Sequence, residues 1–297
     1  MDFEKIKAIK KQVVLAIFSD DELMNRFVLK GGSALDLAYQ YPLGRTSIDV
    51  DLSMADDFQD AELPSIRGRL ERALKKTFQK QGYILIDFDF HPRPTIRRPG
   101  LPDFWGGYEI WFKIVTMERY SAQKNDIHRL RMATEVVGLG QRRIFEVDIS
   151  KHEYCEPKIE RELDGYAYYV YPPQLLVAEK LRAICQQMPE YPYLGKTRRA
   201  RARDFYDIYV IVHNERNLSW TGQKFFNLVR LCFESKEVPL LFLARIHDES
   251  TRQFHAPDFQ AVKATTLSTK GKAVKDYDFY FRFVVRFVRG LKALWVE

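Results

Sequence analysis

The stretch Leu29–Met54, "LKGGSALDLAYQYPLGRTSIDVDLSM", restricts the architecture more than any other part of this 297-residue chain. The short apolar run "RFVLK" reads as a strand that runs into Gly31-Gly32. Ser33 then stands where a helix N-cap hydroxyl accepts a free amide of the first turn. "ALDLAYQY" reads as the helix itself, closed by Pro42 and Gly44. "TSIDVDLSM" alternates, with Ile48, Val50 and Leu52 on one side and Asp49 and Asp51 on the other, the pattern of a half-buried strand. A strand, a glycine turn, a helix and a second strand in succession belong to a mixed α/β layer.

The same stretch carries chemistry. Carboxylates at i and i+2 of a strand point to one side, with Cβ atoms roughly 6–7 Å apart. Both then reach one divalent cation, or each reaches one of two cations about 3.5–4 Å apart. Mg²⁺ prefers carboxylate and phosphate oxygens, and a Gly-Gly-Ser turn at a helix start offers amides and a hydroxyl to phosphate. A lone Asp-x-Asp is more often a solvated strand face. A phosphate cradle followed by a metal-binding strand is a constellation for moving a nucleotidyl group.

Elsewhere the periodicity predicts an N-terminal helix through Ile6, Ile9, Val13 and Ile17, and a helix over 64–80. "GYILIDFDF", "YEIWFKIVTM", "ATEVVG" and "RRIFEVDIS" read as strands, the last two as a hairpin around Gly138 and Gly140. Asp87 and Asp89 form a second Asp-x-Asp, but no Gly-Gly-Ser precedes it, and it reads as a polar strand face. Beyond Pro172-Pro173, "PPQLLVAEKLRAICQQM", "ARDFYDIYVIVH", "GQKFFNLVRLCFES", "PLLFLARI" and "DYDFYFRFVVRFVRGLKALW" read as helices. The expected organisation is an α/β (α+β) domain with a mixed sheet over 1–170 and an all-α helical-bundle domain over 171–297. Aromatic residues make up 14% of the chain and by default belong to the core.

Lys and Arg number 47 against 40 Asp and Glu, a net +7 that helps hold a polyanion without proving one is bound. Arg198, Arg199, Arg201 and Arg203 fall within six positions, and Arg97-Arg98 and Arg142-Arg143 are pairs. The cluster is either a grip for nucleic-acid phosphates or an ordinary solvated charge run. The three Cys have no C-x-x-C spacing, which argues against a disulfide framework and a Cys-rich zinc site and fits a reducing compartment. "LGKT" at 194–197 lacks the first Gly of a P-loop and is set aside. The N-terminus has no signal-peptide pattern and no apolar run is long enough to span a bilayer, so a cytoplasmic protein without a membrane partner is expected.

Gly31-Gly32-Ser33 followed by Arg45-x-Ser47-x-Asp49-x-Asp51 is similar to the signature of the DNA polymerase β-like nucleotidyltransferase superfamily. Within it, "LKGGSAL" and "GRTSIDVDLS" resemble the AbiEii/AbiGii toxin family of abortive-infection and toxin–antitoxin systems. The segment between Ser33 and Asp49 is a couple of residues longer than the usual pattern, which a loop at Tyr41–Gly44 would absorb. Asp148 in "RRIFEVDIS", between Val147 and Ile149, matches the superfamily's third carboxylate. "AEKLRAICQQ" with Lys180 and "RARDFYDIYVI" with Asp204 and Asp207 match the toxin family's second-half signature. Lys180 lies roughly 70° off the centre of its helix's apolar face, at the rim.

The resemblance implies a polymerase-β-like domain followed by a helical domain that brings Lys180 and Asp204 to the cleft. Asp49, Asp51 and Asp148 are then expected to hold Mg²⁺ or Mn²⁺. Gly31, Gly32, Ser33, Arg45, Ser47 and Lys180 are expected to bind a nucleoside triphosphate (NTP) as co-substrate. Asp204 would position Lys180 or a substrate group, while Asp207 reads as a structural partner to a nearby Arg. The implied activity is nucleotidyl transfer to RNA, notably a tRNA 3′ end, which inhibits translation and growth, with Arg198, Arg199, Arg201 and Arg203 as candidate RNA contacts. A cognate antitoxin is the implied partner. Two other readings stay open: transfer to a protein hydroxyl, as in AMPylation, and a non-catalytic RNA-binding or antitoxin-type protein with this fold.

Overall fold

The computed structural model describes residues 3–96, 99–193, 198–266 and 274–296; the Arg97-Arg98 pair and the 194–197 stretch lie outside them. Helix α1 (Phe3–Phe18) buries Ile6, Ile9, Val13 and Ile17 along one stripe. The Asp20 carboxylate caps α2 (Asp21–Arg26) by accepting from the Glu22 and Leu23 amides. Strand β1 (Val28–Lys30) passes directly into α3 (Gly31–Ala34) and a π-helical turn, Leu35–Tyr39, that ends at left-handed Gln40. Then come β2 (Val50–Ser53), α4 (Leu63–Lys80), β3 (Tyr83–Arg93), β4 (Gly107–Thr116), α5 (Met117–Gln123) and α6 (Ile127–Met132). Strands β5 (Phe145–Ser150), β6 (Ile159–Leu163) and β7 (Tyr166–Val170) complete the sheet. Helices α7 (Pro173–Cys185), α8 (Ala202–Asn214) and α9 (Gln223–Glu234), a 3₁₀ segment Leu240–Arg245, α10 (Glu249–His255), α11 (Phe259–Thr265) and α12 (Tyr277–Arg289) follow.

The seven strands lie in the order β3-β4-β5-β2-β1-β7-β6. The sheet is mixed: β2 runs parallel to β5 and antiparallel to β1, which is parallel to β7. Alternation decides the two faces. Val50, Leu52, Ile110, Phe112, Val147 and Ile149 are buried on the face covered by α1 and α4, each contributing about 1.5–3 kcal/mol of apolar burial. The intervening positions, Asp51 and Asp148 among them, are left half-exposed on the other face. The apolar core continues from Ile9 to Leu294, so the sheet and the C-terminal helices share it. Much of the aromatic content is there, as in the packing of Tyr209 against Phe279, Tyr280 and Phe283.

Three local expectations change. Residues 133–138 form no strand, and the hairpin expected around Gly138 and Gly140 is absent. Strand β5 is already flanked by β4 and β2, so no edge is open to a further neighbour. The segment is instead held by single bonds, from the Glu135 amide to the Ile114 carbonyl and from the Val137 amide to the Arg142 carbonyl. Ser33 is not an N-cap: the helix begins at Gly31, with Lys30 at the cap position, and Ser33 lies inside it. The β6–β7 hairpin was not anticipated, although Asp164-Gly165, both at positive φ, is a standard two-residue hairpin turn. No helix of the described residues is long and apolar enough to cross a membrane.

Candidate active site

The open face of the sheet and helices α7 and α8 enclose a cleft of about 790 Å³. Asp51 and Asp148 lie side by side on the parallel strands β2 and β5, and Asp49 immediately precedes β2. Sequence spacing brings Asp49 to Asp51; only the β2–β5 pairing brings Asp148. Burial pushes the Asp51 carboxyl up to about 6, and the neighbouring Asp148 and Asp49 add to it. Burial also raises the Asp49 carboxyl, against the pull of Arg142.

The glycines upstream fit closely against this group. Gly31 sits at φ +62, and a Cβ there would lie 2.5 Å from Asp51 Oδ2. A Cβ on Gly32 would come within 3.0 Å of Ser47 Oγ and 3.1 Å of Arg45 Nη2. Both glycines, Arg45 and Ser47 line the cleft. Ser33 is fully buried and donates its hydroxyl to the Asp49 carbonyl, to which Ser47 also donates at 3.2 Å. The two hydroxyls therefore fix the backbone at the first carboxylate.

The helical half supplies a buried charge cluster. Lys180 Nζ donates to Asp204 Oδ1 at 3.1 Å and Asp207 Oδ2 at 2.7 Å, and Arg45 forms a two-pronged pair with Asp207 at 3.0 and 2.9 Å. Burial pulls the Lys180 ammonium down, but Asp207 and Asp204 outweigh it and its pKa is raised. Burial lifts the Asp204 carboxyl, yet Lys180, Arg201 and Arg203 bring it to about 2. Lys180 is only 4% exposed, deeper than the rim position its helical phase predicts. Asp204 Oδ2 is buried with no hydrogen-bond partner while its side chain lines the cleft. The Arg that Asp207 was expected to partner is Arg45, which holds it with both prongs.

Residues 41–46, between the glycines and the first carboxylate, are held by the C-terminal elements. The Tyr41 hydroxyl donates to Glu215 at 2.7 Å, Tyr206 donates to the Leu43 carbonyl, and the Thr46 amide donates to the Thr265 carbonyl at 2.8 Å. Between the glycines and the first carboxylate lie the π-turn Leu35–Tyr39 and a tight turn closed from Gly44 to Tyr41.

Of the clustered arginines, Arg199, Arg201 and Arg203 line the cleft. Arg198 does not; it donates to the Gln187 carbonyl and stacks on Phe254 at 3.8 Å. Asp87 and Asp89 lie outside the cleft. A β-bulge between Ile86 and Asp89 breaks their alternation, and Asp87 is engaged by Lys113 and Arg131. Sequence reasoning missed Arg93, which shares a strand face with His91, and Arg142, 3.6 Å from Asp49. It also missed the buried network of Lys30, Glu153, Glu179, Arg182 and Lys236 at the cleft floor. Lys236 had no signal at all: it follows α9 and reaches the carbonyls of Phe104 and Lys151 only through the tertiary fold.

Among the described residues, no three His, Cys, Asp or Glu side chains are grouped to hold a metal ion as they stand. Asp148 is engaged by Arg93, and Asp49 faces Arg142. The donor set still suits a hard divalent cation: three carboxylates, one of them, Asp51, pushed up to about 6 by burial and then by its acidic neighbours, with Gly31 packed so closely that a Cβ there would displace it.

A family model described as "Nucleotidyl transferase AbiEii toxin, Type IV TA system" matches residues 13–282. Among solved structures, JHP933 from Helicobacter pylori is similar with a TM-score of 0.52 at 16% identity, covering 98% of this chain and 93% of that one. The likeness shows a shared fold. The nucleotidyltransferase toxin MenT4 from Mycobacterium tuberculosis H37Rv gives 0.48 at 14% identity, over 99% and 94%. No curated protein matches the chain.

Proposed function

Because the chain belongs to the AbiEii nucleotidyl transferase toxin family, we propose that it transfers a nucleoside monophosphate from an NTP to the 3′ end of an RNA, a tRNA in particular. The observation that carries this is the convergence on one cleft of Asp49, Asp51, Asp148, the two glycines and the Lys180–Asp204 pair, with Arg199, Arg201 and Arg203 on the same wall. Asp49, Asp51 and Asp148 would hold Mg²⁺ or Mn²⁺. When bound, such a cation supplies positive charge to the triphosphate.

The chain's own residues do the rest. Gly31 lets the Asp51 carboxylate pack against the turn, and Gly32 does the same for Ser47 and Arg45, so the glycine turn would meet the phosphates beside these side chains. Lys180, held by Asp204 and Asp207, presents a fixed positive charge where negative charge develops on the leaving group. Ser33 and Ser47 keep the Asp49 backbone in place, and Arg45 acts through Asp207. The acceptor hydroxyl oxygen forms a bond to the α-phosphorus as the α–β bridging P–O bond breaks. Its proton passes to the Asp148 carboxylate, and pyrophosphate leaves. Modification of a tRNA 3′ end would stop aminoacylation, and with it translation and growth. Membership of a type IV toxin–antitoxin family makes a cognate antitoxin the expected partner.

The test is incubation with each labelled NTP in turn, with total RNA and with lysate protein, followed by sequencing of RNA 3′ ends. The expected result is label in RNA, with one or more added nucleotides at a defined 3′ end, and none with Asp49→Ala. Label confined to protein would overturn the RNA acceptor, and transfer unchanged by Asp49→Ala would overturn the enzymatic site.

A further inference from the structure

On the open face of the sheet, five adjacent strands each place one polar side chain at matching register: His91, Glu109, Asp148, Asp51 and Lys30. Glu109 and Asp148 are direct cross-strand partners, and like charges so placed repel. Arg93, at the end of β3, offsets this. Its Nη1 donates to Asp148 Oδ1 and lies 3.3 Å from Glu109 Oε1. The Arg93 backbone is held in the β3–β4 ladder opposite Gly107, with Gly106 packed against its carbonyl so closely that a Cβ there would fall 2.1 Å from the oxygen. Its side chain is 40% exposed and lines the cleft. A guanidinium whose backbone sits in the ladder and whose side chain is partly exposed to the cleft is able to leave one carboxylate without disturbing the sheet.

We propose that Arg93 is a positioning residue that holds Asp148 when no divalent cation is present and competes with that cation for the same carboxylate oxygen. Glu109 is the post that keeps the displaced guanidinium beside the site. The inference rests on reading Asp49, Asp51 and Asp148 as the cation's ligands. It accounts for three acidic side chains that suit a cation in charge and yet are not grouped around one: a resident ion pair must be exchanged first. No covalent bond changes; one ionic partner of Asp148 replaces another.

The experiment is a Mn²⁺ titration without nucleotide, followed by the electron paramagnetic resonance signal of the free ion. It compares the wild-type chain, Arg93→Ala, Asp148→Asn and the double variant. Arg93→Ala is expected to bind Mn²⁺ about three- to tenfold more tightly, the range for losing a partly exposed charge-assisted pair. In the Asp148→Asn background the same change should alter affinity less than about twofold, because Arg93 acts through Asp148. Equal affinity of Arg93→Ala and wild type overturns the proposal. So does an equal tightening in both backgrounds, which is a general effect of charge rather than competition. Arg93→Gln, which keeps more of the side chain, should shift affinity in the same direction should the alanine variant fold poorly. Asp49→Ala tests the ligand reading separately: if it binds Mn²⁺ as wild type does, that reading fails, whereas the Arg93 comparison can fail while the ligand reading stands.

Discussion

Replacing Gly31 by alanine separates backbone strain from collision at a carboxylate. Gly31 has φ +62, and the added Cβ would lie 2.5 Å from Asp51 Oδ2 and 2.9 Å from its Cγ. An L-residue in the left-handed region costs about 1–2 kcal/mol. To restore ordinary contact at about 3.5 Å, the Asp51 carboxylate must retreat by roughly 1 Å. A displacement of that size in a reacting constellation costs on the order of 10²-fold in rate. Gly82 provides the control: it has φ +77 and nothing within 4 Å of its would-be Cβ. Gly82→Ala should therefore carry the strain alone, lowering Tm by about 2–4 °C for a chain of this size with nucleotide transfer intact. Gly31→Ala should show at least the same loss of Tm together with a fall in transfer of about 100-fold. Thermal melts and incorporation of labelled nucleotide on the two variants read these quantities. If Gly31→Ala keeps more than about a tenth of wild-type activity, or Gly82→Ala loses as much, the glycine is not there to make room for Asp51.

Two further outcomes are expected. The folded Asp51 carboxyl titrates at about 6 against its usual 3.8, so the folded chain binds the extra proton between those values and loses stability as pH rises through them. Asp51→Asn should accordingly stabilise the cation-free protein by about 1–3 kcal/mol near pH 7 and by nothing below about pH 4, while abolishing transfer; urea denaturation in chelator showing no gain near pH 7 would refute the cost of burying a charged Asp51. Lys180→Met leaves Asp204 and Asp207 buried with one cation fewer, and should destabilise the fold by about 3 kcal/mol. A loss under about 1 kcal/mol in the same assay would mean that the cluster is not held by that ammonium.

The parts of the site legible in the sequence are those set by local spacing. Asp49 and Asp51 declare themselves by strand alternation, and Gly31-Gly32 by standing between a strand and a helix. Asp148 was placed beside them only by the family resemblance and not by spacing, because the parallel pairing of β2 with β5 joins segments about a hundred positions apart. The same non-local pairing misled the reading of 133–138, whose composition suits a strand but which meets a β5 with both edges taken. Ser33 was read from its position in a turn, whereas its partner, the Asp49 carbonyl, belongs to another element. Helical phase placed Lys180 at a rim; α8 closes over that rim and buries it. Arg93 and Lys236 carry no motif, and their roles arise from where the chain returns.

The attachment of residues 41–46 to Glu215, Tyr206, Asp207 and Thr265 has a consequence for synthesis. Gly31, Gly32, Asp49, Asp51 and Asp148 are all translated before residue 150, yet the segment that spaces the glycines from the first carboxylates finds its anchors only when residues 206–265 have been made. A ribosome carrying the first half of this chain holds the acidic residues without the geometry that would make them a site.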